Sequence, residues 1–170
     1  MKISIFPNFN NDGVSQTCEE ICKELDKLGV EYFVAKCNES DETGTLPLFY
    51  DIDELIENCD IVIVVGGDGT TLNVAKAASV HNKLTLGINA GRLGFMSGLE
   101  RDELSLLDRL VSGDYEVEER MMINARLLSE NGTQDFNCLN DAVITRGDLA
   151  RLIDVTVKSD GRVITKNRAY

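Results

Sequence analysis

Asp60-Ile-Val-Ile-Val-Val-Gly-Gly-Asp-Gly-Thr-Thr-Leu-Asn-Val-Ala-Lys76 is the stretch on which the reading of the fold rests. Its β-branched apolar run at positions 61–65 suits a strand buried on both faces, as in a parallel sheet covered by helices. The run enters Gly66-Gly67-Asp68-Gly69, and a helix-forming sequence follows at once. Such a strand–turn–helix places bare backbone at a helix N-terminus. Glycine has no Cβ, so several outward N–H groups can approach a phosphate closely. Asp68 sets a carboxylate in the middle of that anion site. A negative charge beside bound phosphate needs a metal ion or a proton to accommodate it, which points to phosphoryl transfer rather than passive binding.

Outward from this stretch, short apolar segments alternate with helical ones. Residues 2–6 read as a strand, 14–28 as an amphipathic helix closed by Gly29, and 30–35 as a second strand. Residues 37–48 are polar and loop-like. A short helix over 51–58, the strand 60–65, a helix over 70–80, a strand over 84–88 and a helix over 101–112, stopped by Gly113, complete the pattern. This is an α/β domain over residues 1–113, with ligands expected beyond the carboxyl ends of its strands. After Gly113 no helix is expected. Residues 115–128 and 136–145 read as one long hairpin, and 152–158 with 162–165, joined by Asp160-Gly161, as another. Residues 114–170 therefore read as the start of an all-β domain, incomplete in itself.

Composition excludes several roles. A net charge of −12 argues against nucleic acid or an anionic membrane surface as partner. No apolar run is long enough to span a bilayer, and the N-terminus reads as a strand rather than a signal peptide. The five cysteines form no C-x-x-C pair and no metal set, so free thiols in a reducing cytoplasm are expected.

Two further constellations bear on chemistry. Gly87-Ile-Asn-Ala-Gly-Arg-Leu-Gly-Phe95 gives a second glycine-rich turn at the same sheet edge. Asn89 there can donate and accept hydrogen bonds. Phe95 suits stacking on a flat base or burial in the core, and its sequence context weighs these equally. Asn140-Asp141, read as part of a strand, could hold a ribose or a base edge. Arg146, Arg151 and Arg168 are candidates for phosphate or carboxylate contacts. His81, the lone histidine, reads as a solvated linker residue rather than a catalyst.

Together, Gly66-Gly-Asp-Gly-Thr70, Gly87-x-Asn-x-Gly-x-Leu-Gly-Phe95 and Asn140-Asp141 resemble the NAD kinases, also called polyphosphate/ATP-NAD kinases. The GGDG element by itself is shared with 6-phosphofructokinases and lipid kinases; the second motif discriminates. The resemblance implies a phosphofructokinase-like α/β N-terminal domain, a β-rich NAD-binding domain and assembly into homo-oligomers. It implies phosphorylation of the 2′-hydroxyl of the NAD adenosine ribose, with ATP or polyphosphate as donor and Mg²⁺ as cofactor.

Asp68 matches the family's catalytic base. Gly66, Gly67, Gly69 and Thr70 match its phosphate-facing loop, and Asn89, Gly91 and Phe95 fall in the second nucleotide motif. Asn140 and Asp141 match a pair that holds NAD, while Arg151 and Arg168 fall near nucleotide contacts. The family's later D-G-x-I-x-S-T-P-x-G-S-T-A-Y segment has no counterpart here, and Tyr170 stands where an aspartate is expected. The chain thus reads as the N-terminal portion of such a kinase, inactive alone. Another GGDG-type kinase acting on a lipid or sugar, or a non-catalytic nucleotide-binding module, stays open as an alternative.

Overall fold

A computed structural model describes residues 1–35, 48–49, 52–90, 94–144 and 152–169. It divides into two compact units, Met1–Met122 and Ile123–Tyr170.

The first unit is built on a parallel sheet. Its strands are β1 (Lys2–Pro7), β2 (Glu31–Ala35), β3 (Leu48–Phe49), β4 (Ile61–Val65), β5 (Leu84–Asn89) and β6 (Leu99–Glu100), in the order β3-β2-β1-β4-β5-β6. Every adjacent pair runs parallel. The helices are α1 (Val14–Lys27), α2 (Ile52–Glu57), α3 (Asp68–Val80) and α4 (Leu107–Ser112), the last preceded by a 3-10 helix, Arg101–Leu106.

Alternation along the central strands feeds two separate cores. Ile61, Ile63 and Val65 join Ile3, Ile5, Val14, Cys18, Ile21, Leu25, Leu104 and Leu107 on the α1/α4 face. Val62 and Val64 join Phe6, Leu55, Ile56 and Ala78 on the α2/α3 face. A strand covered on both faces has no polar side, which explains the unbroken apolar run. Ser4 is the polar exception on β1: it is fully buried, and its hydroxyl donates to the Leu55 carbonyl at 2.9 Å. Burial without that acceptor would cost about 1–3 kcal/mol.

Helix α1 buries Val14, Thr17, Cys18, Ile21, Cys22 and Leu25, one stripe at helical period. It stops at Gly29, whose φ of +67° lies in the left-handed region. The Val30 N–H reaches the Leu25 carbonyl and the Gly29 N–H reaches that of Asp26, each at 3.1 Å. Those two bonds satisfy carbonyls that the ending helix leaves open.

The strand order locates a crevice. The chain leaves β1 for β2 on one side and β4 for β5 on the other, with α1 and α3 on opposite faces. Between β1 and β4 the connections diverge, and a ligand can enter beyond the strands' carboxyl ends.

The second unit holds two antiparallel hairpins, β7 (Ile123–Ser129) with β8 (Gly132–Cys138) and β9 (Ile153–Ser159) with β10 (Arg162–Ala169). Asp160 (φ +50°) and Gly161 (φ +77°) form the β9–β10 turn. Left-handed values at both central residues match the right-handed twist of paired strands. Arg126 faces Asp135 and Arg168 faces Asp154 across the ladders, each pair bonded through two nitrogens.

Several expectations need correction. Helix α3 begins at Asp68 rather than Thr70, so Asp68 and Gly69 belong to its first turn. The helix expected over 101–112 begins as a 3-10 helix, and Leu48, expected as the last loop residue, forms a short strand with Phe49. The first hairpin is shorter than expected: strand structure starts at Ile123, and the polar, glutamate-rich stretch 114–120 has none. Among the described residues, no helix follows Ser112.

Candidate functional site at the switch point

The turn after β4 sits at the crevice, tied to both neighbouring strands. The Asn8 N–H bonds the Val65 carbonyl at 2.9 Å, and the Gly66 N–H bonds the Ile88 carbonyl at 3.1 Å. The Asn8 side-chain amide donates to the Thr70 hydroxyl at 3.0 Å. Thus the loop after β1 braces the first turn of α3.

The three glycines of the turn differ in function. A Cβ on Gly66 would lie 3.1 Å from the Thr70 hydroxyl and 3.4 Å from the Asn8 Cβ, so Gly66 serves close packing. Gly67 and Gly69 have nothing within 4 Å of the corresponding point. There the backbone is open to an incoming ligand. Asp68 and Gly69 lie in the first helical turn, where N–H groups lack an acceptor one turn back. Together with the helix dipole, this favours an anionic group.

Asp68, partly buried, is gripped from the second motif. The Phe95 N–H donates to its Oδ2 at 3.1 Å and the Met96 N–H to its Oδ1 at 3.0 Å. The two glycine-rich elements, separated by some twenty residues, therefore converge on one carboxylate. A carboxylate offers about four acceptor positions, so these two bonds do not exhaust its acceptor capacity.

Phe95 itself is 92% exposed, which removes the core reading of this side chain. Asn89 is buried, and its amide donates to Glu100 Oε2 at 2.8 Å. That contact holds β5 to β6 at the sheet edge. Gly91, Arg146 and Arg151 lie outside the described residues. Asn140 and Asp141 are exposed and follow β8 rather than lying within a strand, contrary to expectation. Arg168 is on β10, paired with Asp154 at 2.9 Å. His81 caps the C-terminus of α3. Asn8 is the site residue that sequence reasoning missed. Its partner Thr70 is 62 positions away, and only the pairing of β1 with β4 brings them together.

A separate cleft of about 490 Å³ is lined by Glu20, Asn89, Ala90, Glu100, Arg101 and Asp102. It includes neither Asp68 nor the turn after β4. Arg101 is already committed there, its Nε to Glu20 Oε2 at 3.0 Å and its Nη2 to Oε1 at 2.7 Å. The guanidinium holds the Glu20 carboxyl below the ordinary glutamate value. At the turn, by contrast, open backbone and a held carboxylate meet. No group of three or more potential metal ligands occurs among the described residues. None of the helices in the described residues is long and apolar enough to cross a membrane.

A parallel α/β sheet with a glycine-rich strand–helix turn at its switch point defines a class of protein built to hold phosphate groups. Residues 3–115 match the family model described as ATP-NAD kinase N-terminal domain, and the chain belongs to that family. It is 40% identical over 116 residues to the NAD kinase of Heliobacterium modesticaldum, covering 67% of this chain and 41% of that protein. With the Syntrophobacter fumaroxidans NAD kinase it shares 39% over 157 residues, covering 91% and 54%. With that of Natranaerobius thermophilus it shares 30% over 164 residues, covering 95% and 57%. The chain thus spans about half the length of these curated relatives.

Proposed function

We propose that this chain forms the phosphofructokinase-like α/β domain of an NAD kinase together with the first strands of its β-rich domain. The reaction moves the ATP γ-phosphoryl to the 2′-hydroxyl of the NAD adenosine ribose, giving NADP. The observation that carries this reading is the placement of Asp68 between the open backbone of Gly67 and Gly69 and the Phe95-Met96 amides, at the switch point.

A ribose hydroxyl is a poor nucleophile at neutral pH. A positioned carboxylate accepts its proton as the new P–O bond forms, and Asp68 is assigned that task. The first-turn N–H groups of α3, with Gly67 and Gly69 leaving them accessible, hold the phosphates and stabilise charge on the transferring group.

Mg²⁺ fits this arrangement. It is commonly held by one or two carboxylates with nucleotide phosphates supplying the rest, and Asp68 is the carboxylate available in the turn. Bound there with ATP, the ion would neutralise phosphate charge. Phe95 offers a face for a base, and Asn140 with Asp141 and the arginines 151 and 168 are assigned to NAD. Polyphosphate as alternative donor, homo-oligomeric assembly and a cytoplasmic location accompany this reading; the buried thiols of Cys18, Cys22 and Cys59 suit a reducing compartment.

The test is NADP formation from NAD, ATP and Mg²⁺ by the 170-residue chain beside a chain extended through the relatives' later half. Activity in the extended chain supports the proposal, with the short chain expected to be inactive. No NADP from either would overturn it in favour of a binding module or another kinase.

A further inference from the structure

The grip on Asp68 depends on a residue with no side chain. A Cβ on Gly94 would stand 2.8 Å from Asp68 Oδ1, closer than such atoms approach. Phe95 and Met96 reach the carboxylate from a loop whose far side is seated equally closely. A Cβ on Gly87 would lie 2.9 Å from the Met96 carbonyl oxygen and 3.3 Å from the Ser97 Cα. The Gly98 N–H bonds the Gly87 carbonyl at 2.8 Å, and the Ser97 hydroxyl donates to the Gly94 carbonyl at 3.3 Å. The loop is therefore laid on the end of β5 with two consecutive N–H groups facing α3.

We infer that Gly94 is a positioning residue for the proposed phosphoryl transfer, acting through Asp68. Its missing side chain lets the Phe95 and Met96 amides fix both carboxylate oxygens. The fixed carboxylate presents its remaining lone pairs to the switch-point crevice. This rests on the kinase reading for its kinetic consequence, but the grip itself is measurable without turnover. Gly94 touches no substrate in this scheme. A methyl group there displaces either the loop or the carboxylate, and a misplacement of about 1 Å at a reacting group can cost 100-fold in rate.

The experiment is Gly94→Ala in whichever of the two chains makes NADP, with amide hydrogen exchange at residues 95 and 96 read alongside. The expected result is kcat lower by about 10- to 100-fold, KM for NAD and ATP within about twofold, and lost protection at both amides while β4 and β5 keep theirs. Unchanged kcat would overturn the inference, and so would a KM that rises while kcat holds. Should Gly94→Ala not fold, Asp68→Ala in the 170-residue chain reads the grip directly. Protection must then fall at Phe95 and Met96 together; its persistence would sink the proposal. If neither wild-type chain makes NADP, the kinase reading fails, and the exchange result still decides whether the grip exists.

Discussion

The Asn8 side-chain amide donates to the Thr70 hydroxyl at 3.0 Å, across the point where the sheet's connections diverge. That contact joins the end of β1 to the first turn of α3, while the Asn8 N–H separately bonds the Val65 carbonyl at the end of β4. Replacing Asn8 with Ala removes the donor to a partly buried hydroxyl, a loss of about 1 kcal/mol. For a chain of this length that lowers Tm by about 2–4 °C. Because both residues serve one bond, Asn8→Ala combined with Thr70→Val should cost little more than either alone. Thermal melts of the two single variants and the double variant check this; additive losses would show that the contact contributes nothing.

Asp68→Asn separates chemistry from folding. Asparagine keeps the shape and one acceptor oxygen but cannot take up the ribose proton. The fold should persist, with Tm within about 4 °C, since at most one of the two amide bonds loses its acceptor. Turnover in the active chain should fall by about 100- to 10,000-fold, the range ascribed to a general base. Parallel melting curves and NADP assays decide it. Undiminished activity would remove Asp68 from the base role.

Much of this arrangement is legible in the chain itself, for identifiable reasons. The run 61–65 declares a doubly covered strand because its alternate residues enter two different cores. Gly29 and the Asp160-Gly161 pair are legible because left-handed backbone favours few residue types. What escaped notice depends on distant neighbours. Leu48–Phe49 is a strand only because β2 offers it an edge at Val34 and Ala35. The 3-10 helix at Arg101 is the exception, since the reciprocal cap between Glu100 and Glu103 that starts it is a local pattern. Asn8 gained its place from strand order, and Phe95 was undecided until the loop's seating on Gly87 and Asp68 turned its ring outward.

That outward ring makes Phe95 a clean probe. An exposed side chain contributes little to packing, so Phe95→Ala should leave stability within about 0.5 kcal/mol. If the ring stacks on a base of a bound nucleotide, the same change weakens binding by about 1–3 kcal/mol, or about 5- to 150-fold. Calorimetric titration of NAD and of Mg·ATP, set beside a denaturant melt, distinguishes the cases. Unchanged affinity for both nucleotides would leave Phe95 with no part in the site.

The Glu20–Arg101 pair gives the α1 face a pH-dependent contribution. Arg101 holds the Glu20 carboxyl below its ordinary value, first through the direct hydrogen bond, which outweighs the opposing cost of burial, and further through its charge. A carboxyl lowered in the folded state stabilises that state above its unfolded titration range. The contribution is lost as pH falls through the folded value. Both side chains are about one-third exposed, so solvent screens the pair and its effect is small. Glu20→Gln should therefore lower Tm by no more than about 3 °C at neutral pH. The gap between wild type and variant should narrow as pH drops below about 4.3, where an unperturbed glutamate protonates. Melting curves taken from pH 7 to pH 3 test the sign: a gap that widened toward acid would mean that Arg101 does not hold Glu20 in its charged form.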